Sequence, residues 1–202
     1  MRKAILIPIL FINSSAFADT TIVALDQVHH SFGSSGNNRT TIETVQFPTN
    51  ESEYSNISMR VDLDCPNGGC DPWDRKAKIS VYHLDQWIEI GRYVTPYGIE
   101  CGWDIDVTDY RSLFEGEVQI RSFIDTWVQP GWLVSIEFDF VSGSNEYPHT
   151  VVRNLWNYDR LVYGDPTIPI DIATINEYLP NDTEEAYIKI TTTGHGQGNT
   201  DN

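Results

Sequence analysis

The 202-residue chain is acidic, with 29 Asp and Glu residues against 13 Lys and Arg and a formal net charge of -16. A field of this sign repels phosphate backbones and anionic lipid headgroups, which argues against nucleic acids and membrane surfaces as partners. Aromatic residues make up 12% of the chain and charged residues only 21%, which favours one folded domain with a sizeable core over disorder.

The N-terminus has the three parts of a secretory signal. Residues 1–3 include two basic side chains, residues 4–12 are apolar, and residues 16–18 form the small-residue pattern Ala-Phe-Ala. We therefore interpret residues 1–18 as a signal peptide and expect export to the periplasm or the medium. The apolar run is too short to cross a bilayer and no other stretch of the sequence approaches the required length, so we expect no membrane anchor.

Short strands separated by turns are predicted along most of the chain. The clearest alternation places four apolar residues on one core-facing side: Ile57, Met59, Val61 and Leu63. Further strands are predicted at residues 20–25, 77–81, 87–90, 103–107, 118–124, 134–140 and 186–193, with a loop at 31–38 and one helical turn at 108–114. Strands at this spacing with almost no helix predict an all-β sandwich.

The segment after residue 64 concentrates the unusual residues of the chain. Cys65 and Cys70 are separated by Pro-Asn-Gly-Gly, turn residues that allow a small disulfide ring to close, and an exported protein meets an oxidising environment. A ring this short contributes only about 2 kcal/mol by chain entropy. We therefore expect its main use to be aiming the following residues, Trp73, Asp74 and Arg75, which lie at a sheet end just before the next strand.

The remaining cysteine and the histidines do not form a metal-binding pattern. Cys101 is left over, either as a buried free thiol or as the partner of a cysteine in another chain. The five histidines are His29, His30, His83, His149 and His195. No pair has the i, i+2 strand spacing or the i, i+4 helix spacing that converges on one ion, so no metal site is expected.

Three runs of residues carry a family resemblance. The segment CPNGGCDPWDR at residues 65–75, followed by EIGRYVTPY at 89–97 and IDVTDY at 105–110, resembles the N-terminal domain of the peptide-N-glycosidase F family. The resemblance extends from about residue 23 to residue 202 and implies an eight-stranded antiparallel jelly-roll β-sandwich over residues 19–180. In that family a second jelly-roll domain follows. Residues 181–202 are therefore expected to be a linker and the first strand of a second domain outside this chain.

The resemblance also implies a reaction. It is hydrolysis, without metal or cofactor, of the amide between asparagine and the innermost N-acetylglucosamine of an N-glycan, so the partner would be an N-glycosylated protein or glycopeptide. Such a reaction needs a carboxylate to activate the attacking group, an acid for the leaving nitrogen and donors for the oxyanion. Asp74 matches the family's principal catalytic aspartate, and Arg75 matches the substrate-contacting arginine beside it. The alternative is that Asp74 and Arg75 form an ion pair that braces the loop.

Asp125 and two tryptophans complete the predicted site. Asp125 matches a family glutamate that borders the sugar site, but its side chain is one methylene shorter. Its oxygens are therefore expected to lie more than about 1 Å short of the position that the glutamate oxygens reach. The alternative is that Asp125 is a surface aspartate at a strand end. Trp127 matches an aromatic of the family's glycan groove and Trp73 adjoins Asp74, and indole faces suit the apolar faces of sugars. We assign the other four tryptophans to the core or to structural roles: Trp87, Trp103, Trp132 and Trp156.

Three functions therefore remain open. The first is one domain of an exported glycoamidase, which would be inactive by itself because the family's site forms between two domains. The second is an exported glycan-binding or glycoprotein-binding sandwich that has lost turnover. The third is a structural cell-surface domain that binds no glycan.

Overall fold

The computed structural model describes residues 19–34, 36–50, 53–147, 149–156, 166–167 and 172–193. The predicted signal peptide at residues 1–18 lies outside this part of the chain, as do residues 194–202. The strands are β1 (Thr20–His30), β2 (Phe32–Gly33), β3 (Gly36–Asn37), β4 (Thr40–Phe47), β5 (Tyr54–Asp64), β6 (Lys76–His83), β7 (Gln86–Val94), β8 (Cys101–Asp106), β9 (Gly116–Ile124) and β10 (Trp132–Ser142). Within these ranges, no helix has the length and apolar character needed to cross a membrane.

Eight long strands form two four-stranded antiparallel sheets. One sheet has the order β1-β10-β5-β8 and the other the order β4-β9-β6-β7, while β2 and β3 pair as a separate short hairpin. Each connection between successive long strands crosses from one sheet to the other, except the hairpin turn that joins β6 and β7 within one sheet. Such crossing connections between two sheets are typical of a jelly roll. The predicted eight-stranded jelly-roll β-sandwich is confirmed.

The core lies between the two sheets and follows the alternation of the sequence. Four alternating side chains of β5 are buried as predicted, and so are four of β10: Ile57, Met59, Val61, Leu63, Val134, Ile136, Phe138 and Phe140. Burying one such side chain contributes about 1.5–3 kcal/mol. A cluster of aromatic rings closes one end of the sandwich, with Phe47 packed edge-on against Phe138 at 5.2 Å. The opposite end carries the loops described below.

Two parts of the N-terminal region differ from expectation. The predicted first strand at residues 20–25 continues to His30, and the predicted loop at 31–38 contains the hairpin of β2 and β3. The strand β4 is not evident from the sequence. It is an edge strand in which only Val45 and Phe47 are buried, so it lacks an apolar periodicity that would reveal it.

The strand expected at residues 186–193 does not form in the structure, although these residues are described. Tyr187, Ile188 and Ile190 are exposed, because this segment pairs with no strand of the described sandwich. A strand is stable only where a neighbour satisfies its backbone groups. The predicted helical turn, in contrast, is present as a 3-10 helix at Thr108–Leu113.

Candidate active site

Three loops leave the same end of one sheet. The register pairs Lys76 at the start of β6 with Val94 at the end of β7, and Ala77 with Ile124 at the end of β9. The residues just before β6, just after β7 and just after β9 are therefore brought together. The predicted residues of the W-D-R segment and of the I-D-T-W segment lie at this one end of the sheet.

The predicted disulfide forms between Cys65 and Cys70, whose Cα atoms are 4.5 Å apart. Inside the ring, the backbone N–H of Gly69 donates to the carbonyl of Pro66 at 3.0 Å, so the ring contains a tight turn. The ring leads directly into Asp71. Cys101 is a half-buried free thiol whose pKa is raised by burial and by the nearby carboxylate of Asp62.

The centre of the site is the buried carboxylate of Asp71, a residue that was not predicted from the sequence. Its side chain is 0% exposed. Arg75 donates to both oxygens, from Nε at 2.7 Å and from Nη2 at 3.2 Å, while the hydroxyl of Thr126 donates at 2.6 Å and the backbone N–H of Trp73 at 3.0 Å. The backbone N–H of Asp71 also donates to the carbonyl of Gly131 at 2.9 Å. Asp71 therefore joins the W-D-R loop to the residues that follow β9.

Arg75 is held in place by this carboxylate and by the backbone. Its bidentate partner is Asp71, so the arginine of the W-D-R segment forms an ion pair with a carboxylate that was not predicted. Its backbone N–H donates to the hydroxyl of Thr95 at 2.9 Å, and the N–H of Thr95 donates back to the Arg75 carbonyl at 2.8 Å. The side chain of Arg75 remains 18% exposed, so it is partly accessible at the rim.

Three exposed aromatic side chains lie in the loops at this end of the sheet, one of which also carries the half-buried Asp74. Trp73 is 58% exposed and Trp127 is 53% exposed, so neither side chain belongs to the core. Tyr97, in the loop after β7, is 65% exposed and was not predicted. Its neighbour Gly98 has a φ of +67° and lies close to Pro72, so this loop packs against the W-D-R loop.

Asp125 and Trp127 are held by a residue that was also missed, Arg39. The backbone N–H of Asp125 donates to the carbonyl of Lys76 at 3.0 Å, continuing the β6–β9 pairing by one step. Its Oδ1 atom lies 3.3 Å from Nη1 of Arg39. The guanidinium of Arg39 in turn lies 4.3 Å from the centre of the Trp127 ring. Asp125 is therefore part of an ion pair at the end of β9.

The last residue of β1, His30, is a buried histidine. His30 is fully buried, and its Nδ1 atom donates to the carbonyl of Arg39 at 3.1 Å. Burial lowers the pKa of His30 to about 4, although the hydrogen bond to Arg39 acts in the opposite direction. The imidazole is therefore neutral at physiological pH. In the described ranges, no group of three His, Cys, Asp or Glu side chains lies close enough to hold a metal ion.

The fold and the site together define a jelly-roll β-sandwich whose rim carries a disulfide-anchored acidic loop and exposed aromatic residues. A family model described as peptide-N-glycosidase F, N terminal, matches residues 80–140. A curated relative from Elizabethkingia miricola, peptide-N(4)-(N-acetyl-beta-D-glucosaminyl)asparagine amidase F, is 33% identical over 195 residues, which are 92% of this chain and 55% of that protein. The resemblance to the N-terminal domain of the peptide-N-glycosidase F family is confirmed.

Solved structures agree with this assignment. A crystal structure of a peptide-N(4)-(N-acetyl-β-D-glucosaminyl) asparagine amidase matches with a TM-score of 0.62 and 33% identity, covering 65% of this chain and 44% of that one. The structure of PNGase F, a glycosylasparaginase from Flavobacterium meningosepticum, matches with a TM-score of 0.62 and 33% identity, covering 66% and 45%. The chain thus spans about half the length of these relatives. The family model begins after the W-D-R segment, so the roles of Asp74 and Arg75 stay predictions.

Proposed function

We propose that this chain is the first domain of an exported peptide-N-glycosidase and supplies one wall of its active site. The observation that carries the proposal is the buried carboxylate of Asp71, whose Oδ2 atom accepts from both Arg75 and Thr126. This one atom joins the W-D-R loop and the I-D-T-W segment, which are the two segments that carry the predicted site residues. The relatives named for this activity are about twice as long as this chain, so a second domain is proposed to complete the site.

The proposed reaction is hydrolysis of the amide that joins N-acetylglucosamine to the asparagine side chain. Water attacks the carbonyl carbon, the C–N bond breaks, and the nitrogen takes a proton and leaves as a glycosylamine, while asparagine becomes aspartate. Asp74 is proposed to accept the proton of the attacking water. Arg75 offers its exposed edge to the substrate carbonyl, where charge develops in the transition state. Trp73 and Trp127 offer apolar faces to the sugar rings.

An Asp74→Asn variant tests the proposal. This chain, combined with a second jelly-roll domain of the family, is expected to release the glycan from an N-glycosylated peptide. The Asp74→Asn variant should still bind the glycopeptide but release at least a hundredfold less glycan, a loss typical of a missing general base. Asp104→Asn makes the same change at an exposed position of β8 on the other sheet and should leave release unchanged. Full release by Asp74→Asn would refute the mechanism.

A second function is favoured by one specific contact. Asp125 stands where the family has a longer glutamate, and its carboxylate is held by Arg39 at 3.3 Å, which supports a glycan-binding sandwich without turnover. In that case glycopeptide binds, Trp127→Ala weakens binding, and no glycan is released even in the presence of a second domain. A purely structural domain would bind neither the glycopeptide nor the free glycan.

A further inference from the structure

Arg39 lies between the hairpin of β2 and β3 and the candidate site, and hydrogen bonds restrain both its backbone and its side chain. Its carbonyl accepts from the backbone N–H of Ile124 at 3.0 Å and from the ring of His30 at 3.1 Å, so its backbone is tied to the end of β9. Its side-chain Nε donates to Oδ1 of Asn37 at 3.0 Å. A guanidinium restrained at the backbone and at Nε loses little further conformational freedom when it contacts other groups.

The guanidinium plane meets two aromatic rings and a carboxylate. It lies 4.3 Å from the centre of the Trp127 ring and 4.9 Å from that of Phe32, and the two rings are 5.2 Å apart. Three separations of such similar length show that Arg39, Phe32 and Trp127 form one compact cluster. Trp127 is nevertheless 53% exposed. Much of the side chain is therefore left uncovered by Arg39 and Phe32.

We propose that Arg39 is a positioning residue of the sugar-binding surface, which holds Trp127 as a platform for an N-acetylglucosamine ring and keeps Asp125 beside it. This inference rests on the proposed function. A pyranose stacks its apolar C–H face on an aromatic ring while its hydroxyl groups need polar partners at the edge. Arg39 engages Oδ1 of Asp125, which orients Oδ2 of the same carboxylate as an acceptor for a sugar hydroxyl. The contribution of Arg39 is to fix both groups in one geometry.

The arrangement also explains how a short carboxylate can take part in the site. Asp125 has one methylene fewer than the family's glutamate, so it has less reach but also fewer rotamers. An ion pair with a guanidinium that is itself restrained fixes the remaining rotamers. The side chains of Arg39 and Asp125 are 19% and 31% exposed, so the pair is partly shielded from solvent and remains reachable by a ligand.

Binding of an N-glycosylated peptide, measured by titration calorimetry against the same peptide without its glycan, tests the inference. Arg39→Gln should weaken glycopeptide affinity about tenfold, since it removes a stack and an ion pair that both orient the site. Arg39→Lys keeps the positive charge but removes the planar guanidinium group, so it should weaken glycopeptide affinity almost as much as Arg39→Gln. The matched control is Arg121→Gln, because Arg121 stacks on Trp87 at the same 4.3 Å on the outer face of the sheet. It should leave affinity unchanged.

A double-mutant cycle separates positioning from a general structural role. In a Trp127→Ala background, Arg39→Gln should cause a clearly smaller loss of affinity than in the wild type, because only the part of its effect that is exerted through Asp125 remains. An independent, additive loss would overturn the inference, as would an Arg39→Gln variant that binds within twofold of the wild type. If the wild-type chain binds glycopeptide no better than the bare peptide, the proposed function and this inference both fall. If Arg39→Gln does not fold, Arg39→Lys in the same cycle gives the decision.

Discussion

Replacing Asp71 by asparagine should destabilise the domain more than any comparable change of an ion pair on its surface. The side chain is completely buried and accepts four hydrogen bonds, two of them from Arg75. Asparagine keeps the size of the side chain but loses the charge and replaces one acceptor oxygen with a donor, leaving Arg75 without its counter-ion. Breaking a buried pair by removing one partner costs about 3–5 kcal/mol. Because Arg75 is 18% exposed and water can partly solvate it, we expect a loss near the lower limit, about 3 kcal/mol.

The assay is equilibrium unfolding in urea, followed by circular dichroism and by tryptophan fluorescence. A loss of about 3 kcal/mol is a large part of the 5–15 kcal/mol typical of a domain and should shift the urea midpoint clearly. Asp62→Asn is the matched control, because Asp62 also forms a bidentate pair with an arginine at 2.7 Å, but the side chain of Asp62 is 33% exposed and that of Arg60 is 52% exposed. It should shift the midpoint little. Equal shifts of the urea midpoint for the two variants would refute the reasoning that burial of Asp71 makes its ion pair important for stability.

Three further predictions concern the surroundings of the site. The pKa of His30 is lowered to about 4 from an ordinary 6.5, so the unfolded chain takes up a proton at a higher pH than the folded chain. The free energy of unfolding should therefore be highest above pH 6.5 and fall by about 3 kcal/mol between pH 6.5 and pH 4. A His30→Gln variant should not show this loss in urea titrations. Replacing both Cys65 and Cys70 by serine should cost about 2 kcal/mol in thermal unfolding, and a wild-type domain insensitive to reductant would contradict this. Gly131→Ala should unfold at least 5 °C lower in calorimetry, because the glycine has a φ of +57° and a Cβ there would lie 1.8 Å from the His30 carbonyl oxygen; an unchanged melting temperature would show that the backbone adjusts.

The fold was predictable where burial leaves a local pattern. Alternating apolar residues in β5 and β10 indicated strands, because each strand has one face in the core. The edge strand β4 left no such pattern, since most of its side chains are exposed. The segment 186–193 has strand-like residues, but a strand also needs a partner, and pairing depends on distant parts of the chain.

The candidate site was predictable only in part, for a related reason. The residues that stand in recognisable motifs were named from the sequence, including Asp74, Asp125 and Trp127. The residues that hold them were not, because their contacts join distant positions: the hydrogen bond between Thr126 and Asp71 spans 55 residues, and that between Arg39 and Asp125 spans 86. Asp71 lies inside the motif, four residues before Arg75, and this spacing was the one local signal available.

The stretch from Asp71 to Arg75 satisfies most of its own bonding. Its carboxylate, its guanidinium and one of its backbone N–H groups bind one another within five residues, and the disulfide ring fixes the end at which the chain enters. We expect that such a stretch can be transferred to another protein as one segment. Grafted with residues 65–70 between two strands of another sandwich, it needs from its new host a hydroxyl donor in the place of Thr126, a backbone acceptor in the place of Gly131 and a threonine in the place of Thr95.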